Sequence, residues 1–585
     1  MSHSTGPAGE KQEKRLQPRP QSLHRRGIWS LVTAAEMQAL DRQTIDRRGV
    51  PGEILMESAG RSLLSPTLSL RRESERSGAA VRAVCGVGNN GGDGFVLVRH
   101  LCAEGIAAEA ILIGDPERLQ PDAASNWARL ERAGCPRRVV DPEDSDFDWA
   151  ALLADTSVAI DALFGTGLKR EIRGGFARLI DSLASARRAG LRVLSVDLPS
   201  GIDADTGSVL GTAIVADRTV TISLPKIGLA LEPGASHAGG IVVARVGIDD
   251  PDPQRLPRVE LWNAIAAAER FPSRAGLGRA AHKGSFGHVL VVAGSSGKTG
   301  AAVLCARAAA RAGAGLVTLA HPCGVESELG ALPAEVMSAP VAATPDGHFA
   351  RAGEKAIEEL LASRDVVALG PGIGLDSETV DLIRRLVVVF DRPMVVDADG
   401  LNALQGQLEL LHERATPAIL TPHPGEAARL LDTTAGRLNA DRVGAACELA
   451  ELSRSIVVLK GARTVVANPQ RRSLIIPTGG PVLASGGTGD VLTGIIAALL
   501  AAGQESFEAA ALAAWWHGAT ADRLPASRVG FGLLASELAD ALPASAATLV
   551  AYASDRAGRA VDSPVEPETE KEELGGDLDL RFPGP

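Results

Sequence analysis

Short, continuous runs of Val, Ile, Leu and Ala recur along this chain, each followed by a longer stretch whose apolar residues fall at helical spacing. This rhythm constrains the fold more than any other feature. The runs Ala80–Cys85, Ala110–Ile113, Val158–Ile160, Arg192–Val196, Arg218–Ser223 and Ile241–Val246 lack the alternation of strands with one wet face. They predict a parallel sheet buried on both sides by helices. Thr33 and Glu36 stand at capping-box spacing ahead of a helix from Met37 to Arg47. A second series runs through His288–Ala293, Gly315–Ala320, Val366–Leu369, Met394–Val396, Ala418–Leu420 and Ile456–Leu459, and closes in Ala-rich helices at Val491–Ala502 and Phe507–Leu524. Between the series lies DDPDPQRLP, Asp249 to Pro257, rich in Pro and Asp and poor in core residues, as a linker should be. The expected fold class is therefore α/β, in two three-layer α/β domains at 28–250 and 275–545, joined by a linker at 251–274.

Composition narrows the function. The 585 residues carry 60 Lys and Arg against 71 Asp and Glu, a net charge of −11, which disfavours general binding to nucleic acid. Aromatics make up 3%, with Tyr552 the single tyrosine, so base-stacking platforms are scarce. No apolar run reaches the roughly 18 residues of a membrane span; the best, near Val491–Gly503, is shorter and contains Thr493 and Gly494. The six cysteines are scattered with no CxxC pair, which points to neither a zinc site nor a disulfide framework and fits a reducing cytoplasm. Residues 1–27 are basic without an apolar centre and read as a disordered leader or an early start; 546–585 read as a disordered acidic tail.

The 64 glycines concentrate where chemistry is expected. GVGNNGGDGF, Gly86 to Phe95, follows a strand and satisfies G-x-G-x-x-G. A dehydrogenase would also need an acidic residue about 20 positions on, and the nearest, Asp115, comes late. Asn89, Asn90 and Asp93 are side chains that a simple pyrophosphate cradle does not require; their oxygens suit a cation or ribose hydroxyls. The bland alternative is a tight turn capped by Asn and Asp. Asp161 and Asp197 each end a strand and open a Gly-containing loop, DALFGTGLKRE and DLPSGID, where open α/β sheets bind ligands. Lys169 and Arg170 are either phosphate contacts or ordinary surface charge.

GNNGGDG, IDALFGTG, VDLPSGID and LPKIGLALEPG, in that order, resemble the epimerase domain of the NAD(P)H-hydrate repair enzymes over about Leu31 to Ile248. The resemblance implies a Rossmann-like domain that interconverts the R and S epimers of hydrated NADH and NADPH. It implies hydrate contacts from Asn89, Asn90, Gly91, Gly92 and Asp93, from Gly165, Thr166, Gly167, Leu168, Lys169, Arg170 and Glu171, and from Asp197 as acid/base. It also implies potassium held by Asn90, Asp161 and Ser200. The segment Leu64–Gly78 is more polar than the helix expected there.

In the second half, GSSGKT (Gly294–Thr299) imitates a phosphate loop, but the pattern requires a glycine where this chain has Val292. A backbone approach to ligand and a plain strand–helix turn are equally open there. TGGPVLASGGTGDVLTG is stronger: Gly486, Gly487 and Gly489 open a long apolar helix whose N–H groups and dipole favour an anion. Asp490, in its first turn, either takes a proton from a hydroxyl or merely complements the dipole. Lys460 ends a strand where it can meet a nucleotide phosphate, and His423 and Glu426 sit on a Pro-rigid turn.

HKGSFGHVLVVAGSSGKTGAAVL, ALGPGIG, VVDADGLNAL, LTPHPGE, KGART and GGTGDVLTG together resemble the nucleotide-dependent NAD(P)H-hydrate dehydratases, of ribokinase-like fold, over about Gly278 to Leu542. The resemblance implies that Ala301, Gly372, His423 and Asp490 contact the hydrate, and that Lys460, Gly461, Ala462, Arg463, Thr464 and Gly489 contact an adenine nucleotide. ADP, converted to AMP and phosphate, is expected, with ATP as the alternative and Mg2+ alongside. The expected whole is a bacterial, cytoplasmic, homo-oligomeric repair enzyme that binds neither nucleic acid nor membrane. Its rivals are a ribokinase-like small-molecule kinase fused to a dinucleotide-binding module, an oxidoreductase, and a non-catalytic binding protein.

Overall fold

The computed structural model describes residues 27–76, 78–248, 258–272, 281–524, 532–562 and 574–578. In chain order its strands are β1 (Ile28–Leu31), β2 (Ala80–Cys85), β3 (Ala108–Ile113), β4 (Arg137–Val140), β5 (Thr156–Ala162), β6 (Arg192–Val196), β7 (Arg218–Ile222), β8 (Gly240–Ala244), β9 (Arg258–Trp262), β10 (His288–Val292), β11 (Leu316–Pro322), β12 (Met337–Val341), β13 (Val366–Leu369), β14 (Met394–Val396), β15 (Ile419–Leu420), β16 (Ile456–Leu459), β17 (Val465–Ala467), β18 (Arg472–Ile475) and β19 (Leu574–Leu578).

Among the described residues they form two sheets. One runs β19-β8-β7-β6-β5-β2-β3-β4, and the other β1-β9-β18-β17-β16-β15-β14-β13-β10-β11-β12. From β8 to β4 the first is parallel throughout. The second is parallel from β16 to β12, with an antiparallel hairpin of β17 and β18 beside it. Successive residues of β10 enter opposite cores: Val289 and Val291 pack in one, Leu290 and Val292 in the other. In the first sheet Ala83 and Val84 divide in the same way. Both sheets are thus covered on two faces, the three-layer α/β arrangement expected.

The strand order reverses between β2 and β5 in the first sheet and, within the parallel part of the second, between β10 and β13. Ligands of open α/β sheets lodge at the carboxyl ends of strands at such a switch point. The Gly86–Gly94 loop follows β2 and the Asp161 loop follows β5, so the two face one crevice. The Gly294–Thr299 loop and the Gly370–Gly374 loop flank the other.

Several expectations need correcting. Residues 249–257 and 273–274 lie outside the described residues, but the described part of the supposed linker, 258–272, is not a tether. β9 lies between β18 and β1 in the second sheet, with Val259, Leu261 and Trp262 buried, and the helix Ala264–Glu269 packs behind it. β1, placed by the sequence at the start of the first domain, is the edge strand of the second sheet. The tail expected to be disordered from residue 546 is helical to Asp562, within a helix that begins at Ala535, and Leu574–Leu578 pairs antiparallel with β8. The leader, apart from Gly27, lies outside the described residues. The polar segment after Leu63 is a helix, Leu64–Glu73, because Pro66, Thr67 and Leu70 line up on its buried face.

Candidate active sites

The first crevice holds a cavity of about 730 Å3. The helix Asn89–Ala103 begins at its wall, with Gly88 as N-cap and Gly88, Asn89 and Asn90 lining the cavity. Asn89, Asn90 and Asp93 line the cavity, with Gly165, Thr166, Gly167, Leu168, Lys169, Arg170 and Asp197. Gly91 and Gly92 lie behind the wall. A Cβ on Gly91 would fall 2.0 Å from the Gly86 carbonyl oxygen, and one on Gly92 2.5 Å from Met56 Sδ. Gly91 lets the helix start close against its own loop, and Gly92 lets the helix Gly52–Ser62 pack against it. Glu171 turns away and pairs with Arg173. Lys169 is held by Asp205 at 3.2 Å and Asp203 at 3.6 Å, which anchors the loop that carries it.

Asp197 follows β6 with a φ of +66°, a left-handed conformation unusual for a residue with a side chain. Three contacts hold it there. Its N–H donates to the Val220 carbonyl at 2.8 Å, its Oδ1 accepts from Ile222 N at 3.0 Å, and the same oxygen meets the Lys226 ammonium. Lys226 is fully buried, and its Nζ also donates to the Ile222 carbonyl at 3.0 Å and Thr221 Oγ1 at 3.3 Å. The sequence reading missed this lysine, although it stands in the quoted LPKIGLALEPG run; a lone Lys among apolar residues was the available signal. Burial, reinforced by the Asp197 and Asp41 carboxylates, holds Asp93 well above the usual carboxylate range.

Deeper in, Asp161 is buried at the end of β5. Its carboxylate accepts from Ser200 Oγ at 2.5 Å, Ser195 Oγ at 2.7 Å and Ser200 N at 2.9 Å. Burial nonetheless raises its pKa against those donors. Asn90 Nδ2, beside Gly165 of the loop that follows β5, is buried with no hydrogen-bond partner among the described residues.

The second site is built at the carboxyl ends of β10, β13, β14, β15 and β16. After β14, Asp397 and Asp399 flank Ala398, whose φ of +52° bends the chain so that both acids leave the strand end. Asp397 accepts from Lys460 Nζ at 2.8 Å and Thr493 Oγ1 at 2.7 Å. Asp399 accepts from Gly374 N at 3.0 Å and pairs with Lys298 at 3.3 Å. Gly372, with a φ of +62°, lies against Lys298 and Ala301, where a Cβ would fall 3.1 Å from that of Ala301. Glu426 lies 4.0 Å from Lys460. Burial alone would lower Lys460; Asp397 and Glu426 outweigh it and hold the amine above its ordinary value.

The helix Thr488–Ala501 starts at Gly487, which adopts a φ of +88°. Thr488 Oγ1 donates back to the Leu483 carbonyl at 2.9 Å and so folds the Gly-rich turn over the helix end. A Cβ on Gly489 would come 3.3 Å from Lys460 Nζ, so the glycine gives the amine access to the helix N-terminus. In the same first turn burial, then Asp397, raises Asp490 to about 7. His423 caps the helix Pro424–Leu430, its Nδ1 accepting from Gly425 N at 2.9 Å, while its ring remains half exposed. In the 460–464 loop Gly461 packs on the Arg442 guanidinium, Thr464 Oγ1 donates to the Gly461 carbonyl at 3.1 Å, and Ala462 lies between them. Arg463 has a φ of +56° and donates to the Pro477 carbonyl at 3.1 Å. Asp397, Asp399, Lys298 and Thr493 were not singled out from the sequence, although VVDADGLNAL was.

A family model described as NAD(P)H-hydrate dehydratase matches residues 289–544, and one described as YjeF-related protein N-terminus matches residues 52–228. Curated proteins named bifunctional NAD(P)H-hydrate repair enzyme match nearly end to end. One from Moorella thermoacetica is 42% identical over 520 residues, covering 88% of this chain and 96% of that protein. One from Thermofilum pendens is 38% identical over 515 residues, covering 88% and 95%. Among solved structures, the ADP/ATP-dependent NAD(P)H-hydrate dehydratase from Bacillus subtilis co-crystallised with ATP and Mg2+ is 31% identical, covers 49% of this chain and 98% of its own, and has a TM-score of 0.43.

Proposed function

The chain belongs to the family of bifunctional NAD(P)H-hydrate repair enzymes and is an NAD(P)H-hydrate epimerase and dehydratase, and from that premise we propose which of its residues do each task. The epimerase is the 730 Å3 cavity. Asp197 takes the proton of the ring hydroxyl as the bond between the hydroxyl-bearing carbon and the ring nitrogen opens to an aldehyde, Lys226 fixes its position, and Asp93, whose burial favours the neutral acid, gives the nitrogen a proton; after rotation of the aldehyde the reverse steps close the ring on its other face. The loop from Gly165 to Arg170 closes over the dinucleotide, and the helix N-terminus at Asn89 receives a phosphate.

We propose potassium for the corner of Asn90, Asp161 and Ser200. Asp161 is a buried carboxylate with hydrogen-bond donors but no cationic side chain among the described residues. Carboxylate, amide and hydroxyl oxygens suit a hard cation, which when bound would supply the charge that Asp161 lacks.

In the second site Asp490 takes the proton of the ring hydroxyl as the nucleotide's terminal phosphoryl group is transferred to its oxygen. The N–H groups of the Gly486–Gly489 turn and Lys460 face the charge that develops. The ring nitrogen lone pair then expels phosphate, a far better leaving group than hydroxide, and loss of a ring proton restores the reduced nicotinamide. With ADP as donor the products are AMP and phosphate. Asp397, Asp399, Glu426 and Asp490 surround Lys460 and Lys298; this surplus of negative charge suits a nucleotide accompanied by Mg2+, which would offset the phosphate charge when bound.

The observation that carries the reading is Asp490 at a Gly-rich helix N-terminus with its carboxyl raised to about 7. The test mixes the protein with both hydrate epimers and ADP or ATP and follows NADH absorbance. Full recovery is expected, against half recovery for a dehydratase alone. Asp490→Asn should lose about a hundredfold or more in dehydration and keep epimerisation; restoration of NADH at the normal rate would remove Asp490 as the base.

A cytoplasmic location is supported by six unpaired cysteines. Among the described residues no helix is long and apolar enough to cross a membrane. A homo-oligomer is the assembly we expect; the outermost strand β12, with Met337 exposed, is the edge open to a second copy.

A further inference from the structure

The two sites are joined by one short segment. Val32, just past β1, donates to the Pro225 carbonyl and accepts from Ile227 N, both at 3.0 Å, which clamps the segment to the strand that crosses between the halves. At Lys226 the segment supplies the ammonium on Asp197. Ile227, Ala230 and Leu231 then leave the first half and pack in the same core as Leu459, Val465, Ala467 and Ile475 of the second sheet. At its end Glu232 reaches Arg463, with Oε1 at 3.5 Å from Nε. Its other oxygen accepts from Ser236 Oγ at 2.6 Å and Ser236 N at 3.2 Å, which aims the carboxylate. Arg463 is in the loop that follows β16, in a left-handed conformation that costs energy unless its surroundings hold it. Its guanidinium is held on one side by the Pro477 carbonyl and on the other by Glu232. The pair is sheltered, with 17% of the Arg463 side chain and 32% of the Glu232 side chain exposed.

We propose that Glu232, a residue of the epimerase half, is a positioning residue of the dehydratase: by holding Arg463 it fixes the 460–464 loop in the shape that receives the nucleotide. This rests on the reading of Lys460 to Thr464 as the nucleotide loop. A fused chain then gains more than proximity, since one catalytic half shapes the other's co-substrate site. Glu232 does not touch the reacting atoms, so its loss should appear in nucleotide binding and leave the chemical step alone.

The experiment uses the full chain and measures dehydration of the S epimer against ADP and against ATP, with epimerisation followed separately by chromatographic resolution of the two epimers without nucleotide. Glu232→Gln removes the charge and keeps the shape. It should raise the nucleotide KM about threefold to tenfold with kcat within about twofold, and leave epimerisation unchanged. Glu232→Asp should restore part of the KM. Arg463→Gln should raise the nucleotide KM at least as much, and Glu232→Gln should add nothing in that background. A normal KM for Glu232→Gln beside a raised KM for Arg463→Gln overturns the proposal and leaves the loop reading standing. Normal values for both overturn the loop reading and the proposal with it. Additive effects of the two substitutions place Glu232's action elsewhere and also overturn it.

Discussion

Asp490 and Asp197, the two proposed acid/base residues, sit in opposite electrostatic surroundings. Asp490 is surrounded by other carboxylates and removed from water, so its carboxyl titrates at about 7. A base must be ionised to accept a proton, and the ionised fraction grows as pH rises through that value. Dehydratase kcat/KM should therefore climb with pH up to about 7 and level above it; a profile flat across about pH 6 to 8 would take the role from Asp490. Asp197 instead faces a buried ammonium. Lys226→Met would leave that carboxylate without its counter-charge, and breaking a buried pair this way costs about 3–5 kcal/mol. Epimerisation should fail and the denaturation midpoint should fall, with dehydration retained in whatever fraction stays folded; a variant of full stability and full epimerase activity would show Lys226 idle. Asp197 stands out in the sequence because it ends an apolar strand, and Asp490 because it opens a long apolar helix after a Gly-rich turn. Lys226 was not, because only the tertiary fold puts a lysine in the middle of LPKIGL at zero exposure.

Among the elements, the helices Thr299–Arg311 and Thr488–Ala501 set the second site, because their first turns carry Ala301 on one side and Asp490 on the other. They approach so closely that a Cβ on Gly494 would lie 2.3 Å from the Cys305 carbonyl oxygen. Gly494→Val must push the helices apart, at a cost of about 1–3 kcal/mol or more, and displace Asp490. The expected outcome is a lower melting temperature and a dehydratase rate that falls by more than the folded fraction does; an unchanged rate per folded molecule would show that the helix start is positioned by its Gly-rich turn alone. Central strands were readable as apolar runs. β4 and β12 were not, for a physical reason: each is an outermost strand with mostly exposed residues, so its sequence carries no such run. The β17–β18 hairpin, Val465–Ala467 and Arg472–Ile475, also went unread.

For the whole molecule, a linker drawn from Pro and Asp content suggested two beads on a string. The structure interlocks them. β1 belongs to the second sheet and the helix Ala34–Arg48 that follows it to the first half, Trp29 packs against cores on both sides, and β9 sits between β1 and β18. With so much apolar surface shared, thermal unfolding should be a single cooperative transition seen alike by calorimetry and by loss of either activity. Two well-separated transitions would show that the halves hold together without one another. The same interlock explains why composition misplaced the boundary: local sequence reports where a chain turns polar, not which sheet a strand joins.

β1 also imposes an order of events on a growing chain. Ile28–Leu31 leaves the ribosome early, but its partner β9 begins only at Arg258. At translation rates of about 5–20 residues per second the strand waits on the order of ten to fifty seconds with its backbone groups unpaired. The first half can complete its own sheet through β8 in that interval, yet it must do so while holding out a short strand that it has no use for. The second half, in turn, cannot close its far edge until the first has kept that strand in reach, so the two halves are tied together only once the chain between Leu31 and Arg258 has been made.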